Sequence, residues 1–165
     1  MRQSLRIVTG GRSALAALLA VAVLTAAVFP AGAAVLFEAP FLPFDVSRSP
    51  SSVAIQDLNG DGHPDLAVSV YNSEAVSVLL GNGDGTFGAR TDFTTGKNPQ
   101  SVVIGDLNGD GFADLVVTNY SAHTISVLLG NGNGTFRAKS DFAAGSYPQH
   151  VALADLNHDG RLDAA

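Results

Sequence analysis

The chain has 165 residues, of which 46% are hydrophobic, and a formal net charge of −6. This composition excludes a disordered polypeptide and predicts one modest domain with an apolar core. Three of its nine basic residues fall within residues 1–33, which contain no acid, so the remainder carries 15 acids against 6 bases. Because no basic surface exists to neutralise phosphates, nucleic acid is excluded as a partner.

Residues 1–33 have the pattern of a secretory signal peptide. A basic segment precedes the apolar residues 13–29, and the small residues Ala31-Gly32-Ala33 follow. The alternative is an uncleaved membrane anchor, for which 17 apolar residues are just long enough, but the small-residue exit favours cleavage. We therefore expect a signal helix over 1–33, a secreted or cell-surface protein, and no stable membrane span after cleavage. The chain contains no cysteine, so disulfides cannot stabilise it.

Beyond the signal the sequence is a tandem repeat. Pro50, Pro99 and Pro148 are each separated by 49 residues, and more than half of the positions in 50–98 and 99–147 are identical. A period of this length without helical patterning predicts a solenoid, a propeller or an array of sheets. The predicted units are two complete repeats, 50–98 and 99–147, and a truncated third one, 148–165.

Each repeat contains four candidate strands. In the first repeat these are Ser52 to Ile55, the alternating stretch Leu66 to Tyr71, Ala75 to Leu80, and Arg90 to Thr95. The third and fourth are joined by glycine-rich turns, GNGDGTF at 81–87 and GNGNGTF at 130–136, which lack the helix and the Lys-Ser/Thr pair of a phosphate-binding loop. Four antiparallel strands per repeat predict an all-β fold made of β-propeller blades.

The register of the phenylalanines extends the repeat towards the N-terminus. Phe44 lies 49 residues before Phe93, so residues 34–49 are expected to form the outer strand of a preceding blade. Two full blades, one leading strand and one truncated blade do not complete a ring, since propellers usually have about four to eight blades. We therefore expect an incomplete ring, and a fragment of a longer protein; self-assembly of copies into a ring is the alternative.

Three acidic loops recur at the same place in the repeats: DLNGDGHPD, DLNGDGFAD and DLNHDGRLD. Side-chain oxygens fall at loop positions 1, 3, 5 and 9, and a glycine at position 6 allows a sharp turn. Oxygen-only ligands in a tight loop are typical of Ca²⁺, and a divalent cation would relieve the repulsion between the carboxylates. The predicted ligands are Asp57, Asn59, Asp61 and Asp65 in the first loop, Asp106, Asn108, Asp110 and Asp114 in the second, and Asp155, Asn157, Asp159 and Asp163 in the third.

Two other interpretations of the loops are weaker. An EF-hand requires a bidentate Glu at position 12, where this chain has Val68 and Val117, and helices at its flanks. Asp, Asn and Gly are also ordinary turn residues. Three loops that keep the same four oxygen positions while positions 7 and 8 vary favour metal binding over a simple turn.

From about residue 37 to 165 the chain resembles the FG-GAP/VCBS repeat family, whose blades occur in integrin α-chain heads and in many secreted bacterial proteins. The DLNGDG loops, the GNGDGTF and GNGNGTF turns and the SVLL strands before them carry this resemblance. It implies calcium binding by the Asp and Asn positions of the loop between the first two strands of a blade. Phe136-Arg137 departs from the Phe-Gly pair that Phe87-Gly88 keeps, at a turn outside the loops.

Two functional classes follow. The first is a secreted calcium-binding repeat module that acts in binding or adhesion to an extracellular protein or carbohydrate, without catalysis of its own. The second is an accessory propeller of a secreted polysaccharide-degrading or other hydrolytic enzyme whose catalytic domain lies outside this chain. No nucleophile elbow, oxyanion-hole motif or carboxylate pair outside the loops supports catalysis within the chain itself.

Overall fold

The structure, a computed structural model, describes residues 49–165. The predicted signal peptide and nearly all of the predicted leading strand lie outside the described residues. Within 49–165 the fold is all-β, as predicted, and no helix there is long and apolar enough to cross a membrane. The strands are β1 (Pro50–Gln56), β2 (Asp65–Val70), β3 (Ala75–Leu79), β4 (Thr91–Thr94), β5 (Pro99–Gly105), β6 (Asp114–Asn119), β7 (Thr124–Leu128), β8 (Ser140–Ala143), β9 (Leu153–Ala154) and β10 (Asp163–Ala164).

The strands form two four-stranded antiparallel sheets, which we call blade 1 (β1 to β4) and blade 2 (β5 to β8). In each sheet the strands follow one another in chain order, so every connection is a hairpin. This confirms the predicted blade architecture. The first strand of each blade begins with a proline, and its register shifts immediately afterwards, between Pro50 and Ser52 and between Pro99 and Ser101. Proline has no N–H to give to the ladder, which accounts for an irregularity at this place.

The hydrophobic core lies between the two blades. Alternation along the strands turns Ala67, Val76 and Val78 of blade 1 towards the interface, where they are buried. The buried residues of blade 2 in the same cluster are Val102, Leu115, Val117 and Leu128. Phe93 and Phe136 meet edge to face across this boundary, with ring centroids 5.1 Å apart. Packing between neighbouring blades is therefore the main source of apolar burial.

The remaining two strands, β9 and β10, form a separate antiparallel pair beside blade 2. Gly105 at the end of β5 lies so close to Leu153 and Leu162 that a methyl group added there would be 2.9 and 2.7 Å from their side chains. The sheets of the described residues do not close into a ring.

Candidate metal centre

The three acidic loops lie at the same end of the sheets, each between the first two strands of its unit. We call them loop A (57–65), loop B (106–114) and loop C (155–163). The glycine at position 6 has a positive φ in every loop: 83° at Gly62, 85° at Gly111 and 83° at Gly160. An L side chain is strained in this conformation, so the predicted sharp turn depends on glycine there.

The aspartate carboxylate at position 1 accepts hydrogen bonds from backbone N–H groups of its own loop. In loop A, Asp57 Oδ1 accepts hydrogen bonds from the backbone N–H groups of Gly60 at 2.7 Å and Asn59 at 3.2 Å, and Oδ2 accepts one from Gly62 at 2.8 Å. The bond from Gly62 is the main reason that the pKa of Asp57 lies below its usual value; partial burial opposes this, and the bond from Gly60 adds to it. The carboxylate at position 1 is therefore kept ionised and oriented.

Loop B repeats this arrangement. Asp106 accepts N–H groups from Gly109 at 2.7 Å and from Gly111 at 2.8 Å, and the bond from Gly111 is the main cause that lowers its pKa. In loop C, Asp155 accepts the N–H of Gly160 at 2.9 Å. Position 4 is a glycine in loops A and B (Gly60 and Gly109), but in loop C it is His158, whose φ is 62°. Loop C therefore contains a strained residue.

The side chains at positions 3 and 5 also accept hydrogen bonds from backbone N–H groups, each from the residue two positions later. In loop A, Asn59 Oδ1 accepts the N–H of Asp61 at 3.0 Å, and Asp61 Oδ1 accepts the N–H of His63 at 2.8 Å. The Asn59 amide also donates to Asp61 Oδ2 at 2.8 Å. These bonds place the oxygens of positions 1, 3 and 5 in one short turn, and they recur in loops B and C.

Position 9 has a structural role that sequence reasoning missed. Asp65 is fully buried, and its Oδ2 accepts the N–H of Leu58 at 2.7 Å while Oδ1 accepts the N–H of Gly81 at 2.7 Å. Asp114 makes the equivalent bonds to Leu107 and Gly130 in blade 2. This aspartate thus ties the acidic loop to the start of the glycine-rich turn. The repeated spacing of Asp65 and Gly81 was the only signal in the sequence that they belong together.

Loop C lacks part of this support. Asp163 Oδ2 accepts the N–H of Leu156 at 3.0 Å, and within residues 49–165 no glycine-rich turn supplies the second bond. Asp163 is half-buried, unlike Asp65 and Asp114. Loops A and B are accordingly the better-supported pair.

The donor chemistry of loops A and B fits a hard cation, although the carboxylates are not assembled into a cluster. Across residues 49–165, no three carboxylate or imidazole side chains converge as a ready-made metal group. A carboxylate oxygen has two lone pairs, and Asp57 Oδ2 and Asp61 Oδ1 in loop A each accept only one N–H group, so acceptor capacity remains at positions 1 and 5. Ion pairs in the described part of the chain join Arg90 to Asp92 and Lys139 to Asp141, and none involves a loop aspartate. The loop charges are therefore not neutralised by basic side chains there.

The glycine-rich turns support the acidic loops instead of forming a ligand site. A Cβ added at Gly83 would lie 2.5 Å from the His63 ring, and one added at Gly132 would lie 2.5 Å from the Phe112 ring. The side chain at loop position 7 therefore lies directly against the neighbouring turn, which only glycine permits. The sequence predicted a tight reversal at these turns but not this contact.

Comparison with known protein families matches two overlapping segments, residues 57–117 and 106–165, to the FG-GAP-like repeat. The chain belongs to the FG-GAP-like repeat family. Both matches begin at the first aspartate of an acidic loop, Asp57 and Asp106, which agrees with the motifs that carried the resemblance. A search of curated proteins found no match.

Proposed function

We propose that this FG-GAP-like repeat chain is an exported, calcium-binding propeller module that acts by binding and not by catalysis. The observation that carries the proposal is the pair of equivalent loops A and B. Each brings the carboxylates of positions 1 and 5 and the amide oxygen of position 3 into one turn without a basic partner. Asp57, Asn59 and Asp61 would hold the ion in loop A, with Asp106, Asn108 and Asp110 in loop B.

The aspartates at position 9, Asp65 and Asp114, are the remaining residues of the two proposed ligand sets. Asp65 and Asp114 are buried and ionisable, and each fixes the distance between its loop and the glycine-rich turn. A bound divalent cation supplies the positive charge that the three carboxylates of each loop lack. The site is therefore expected to stabilise the blades and not to take part in a reaction.

Acids outside the loops support the non-catalytic part of the proposal. Asp92 accepts a hydrogen bond from Ser77 at 2.7 Å and pairs with Arg90 at 3.1 Å. Asp84 accepts both the N–H and the hydroxyl of Thr86, at 2.9 and 2.6 Å. These carboxylates hold strands and turns in place, which is a structural use.

Calorimetric titration of the chelator-treated chain with calcium chloride tests the metal assignment. We expect two sites of similar strength, and stabilisation of roughly 0.5–1.5 kcal/mol per site at millimolar calcium if affinities lie near 10⁻⁴ to 10⁻³ M. Asp110→Ala should abolish one of the two binding events and leave the other.

A matched control uses an acid outside the loops. Asp84→Asn removes a carboxylate from an exposed turn and should leave both binding events intact. The assignment is wrong if the wild-type chain shows neither binding heat nor a higher melting temperature with calcium, or if Asp84→Asn has the same effect as Asp110→Ala.

Export is tested by the N-terminus of the protein recovered from outside the cell. We expect mass spectrometry to find a mature chain that begins near Ala34, because the small residues at 31–33 favour cleavage there. An exported chain that retains Arg2 would contradict the signal-peptide assignment.

A further inference from the structure

An open groove of about 480 Å³ lies at the end of the blades opposite the acidic loops. Strand β1 begins at this groove and runs to loop A, and β2 returns from loop A to Tyr71, which lines the groove. Both blades contribute to it, with Ser51 and Tyr71 from blade 1 and Gln100 and Tyr120 from blade 2. Gln149, which precedes β9, adds a further wall.

The groove collects repeat-equivalent residues. Tyr71 and Tyr120 occupy the same position in successive repeats, as do Gln100 and Gln149. The third tyrosine of the chain, Tyr147, lies beside Tyr120 with ring centroids 5.0 Å apart. All three tyrosines of the protein are therefore grouped at this end of the blades, although none of them belongs to the core.

The tyrosine and glutamine side chains of the groove have polar ends without hydrogen-bond partners among the described residues, whereas the backbone around them is hydrogen-bonded. In the part of the chain that the structure describes, neither the hydroxyl groups of Tyr71 and Tyr120 nor the side-chain amides of Gln100 and Gln149 make a hydrogen bond. The walls themselves are held, because the Asn98 amide donates to the carbonyl of Tyr71 at 3.0 Å and Tyr120 N–H donates to the carbonyl of Asn98 at 2.9 Å. Donors and acceptors are thus presented on a rigid support.

Neighbouring groups hold Tyr147 in place as well. Its N–H donates to Nδ1 of His123 at 3.0 Å, and the two rings meet edge to face with centroids 4.6 Å apart. Tyr147 is 54% exposed, so its ring extends the aromatic surface from Tyr120 out into solvent.

The chemistry of the lining selects a class of ligand. The lining residues within 49–165 are all uncharged, so this part of the groove offers nothing to attract an anion or a cation. Among the residues that the structure describes, the lining contains no Leu, Ile, Val, Met or Phe that would form a pocket for the apolar anchor of a peptide. A tyrosine presents an apolar ring with a polar end, and glutamine presents a donor beside an acceptor. A sugar ring is complementary to both, because it has an apolar C–H face and an edge of hydroxyl groups.

We propose that this groove binds a neutral saccharide, with tyrosine rings against its C–H face and the Gln100 and Gln149 amides on its hydroxyl groups. The proposal rests on the proposed function in one respect, namely that the repeats act as a binding module. It gives that module a ligand class and a surface separate from the acidic loops.

An array of immobilised neutral glycans tests the proposal, built from glucose, galactose, mannose, fucose and N-acetylglucosamine. Sialylated and sulfated glycans and a peptide array serve as comparators. We expect the labelled chain, in calcium-containing buffer, to bind one or more neutral glycans and no charged glycan or peptide preferentially. The strongest neutral oligosaccharide is then titrated in solution against the variants.

The variants separate stacking from hydrogen bonding. The double change Tyr71→Ala and Tyr120→Ala should weaken binding by about tenfold or more, because both ring faces are lost. Tyr120→Phe keeps the ring and should stay within about threefold, and exposed Gln149→Ala should lose about threefold without affecting folding. Phe142→Ala, an exposed aromatic on β8 outside the groove, should leave the affinity unchanged.

Several results would overturn the proposal: a folded chain that binds no neutral glycan, preferential binding to charged glycans or peptides, or affinity unchanged by the tyrosine and glutamine substitutions. Calcium titration of the same preparations keeps the two proposals apart. A chain that binds calcium but no neutral glycan overturns the groove assignment alone.

Discussion

The side chain of Asn119, a buried polar residue where the two blades meet, has a hydrogen-bond partner for its oxygen and for its amide group. It is fully buried, its Oδ1 accepts the N–H of Gly96 at 3.0 Å, and its amide donates to Thr124 at 3.1 Å and Ser126 at 2.8 Å. Asn119-Tyr120-Ser121 is formally a glycosylation acceptor sequence, but the amide nitrogen is engaged on both hydrogens and closed off from solvent. The buried amide instead connects the segment after β4 to blade 2.

A second polar residue, Asp141, joins two strands through a charged hydrogen bond. It accepts the hydroxyl of Ser126 at 2.6 Å and pairs with Lys139. Burial works to raise the pKa of Asp141, but the hydrogen bonds from Lys139 and Ser126 outweigh it, so the pKa of this carboxyl group lies below its usual value. A carboxyl group with a lowered pKa stabilises the folded state above the pKa of the unfolded chain.

Asp141→Asn should therefore reduce stability at neutral pH more than in acid. In the wild type this contribution is fully present above about pH 4 and is lost as the pH falls through the lower folded-state pKa. Urea unfolding at pH 7 and near pH 3 measures the difference between the two proteins, which should narrow at the lower pH. Lys139→Gln should show a smaller change of the same sign; a difference independent of pH would contradict the assignment.

At the scale of elements, the glycine-rich turn depends on a backbone contact. A Cβ at Gly130 would lie 2.2 Å from the carbonyl oxygen of Ala113, which cannot move without displacing β6, and one at Gly81 would meet Pro64 in the same way. The N–H of each glycine is also bound by the buried aspartate of its blade. The turn and the acidic loop therefore form one unit.

We expect Gly130→Ala to destabilise the fold by about 1–3 kcal/mol or more, because the added methyl group overpacks a buried site. Gly88→Ala is the matched control, since a Cβ there would make only an ordinary contact, 3.6 Å from the carbonyl oxygen of Leu80. Denaturant midpoints of the two variants measure the contrast. Equal midpoints would show that the turn adjusts more freely than the structure indicates.

The sequence predicted these elements better than their contacts. Alternating Val, Leu and Ser residues placed the four strands of each blade to within two residues of their ends, because period-2 burial is a local signal. The bond from Gly81 to Asp65 and the ring contact of Phe93 with Phe136 depend on how distant segments approach each other. The repeated spacing shows which residues are equivalent between repeats, but not which atoms of them are in contact. The twelve predicted ligands fall in three similar loops, but the N–H groups that orient them could not be deduced from residue types.

At the scale of the whole molecule, equivalent positions of the repeat have unequal surroundings. Val102 on β5 faces blade 1 and is 3% exposed, whereas Val53, at the same position on β1, is 56% exposed. Ile55 on β1 is 64% exposed, while its equivalent Ile104 packs against the core. Stability is therefore concentrated at the boundary between the two blades.

This contrast predicts different costs for the same substitution. Val102→Ala should destabilise the fold by about 2 kcal/mol through lost burial and a residual cavity, and Val53→Ala by no more than about 0.5 kcal/mol. Chemical denaturation of both variants, with the wild type as reference, measures the difference. Comparable losses would mean that β1 is as well covered as β5.

The hydrogen bonds of the Leu58 peptide group determine when loop A can be completed during translation. Its N–H is bound by Asp65 within loop A, but its carbonyl accepts the N–H of Gly134 at 3.0 Å, and the two residues are 134 − 58 = 76 positions apart. At ribosomal speeds of about 5–20 residues per second, roughly 4–15 s separate the synthesis of the two residues. During that interval the Leu58 carbonyl lacks its native hydrogen-bond partner, so loop A reaches its final anchorage only after the turn of blade 2 has been translated.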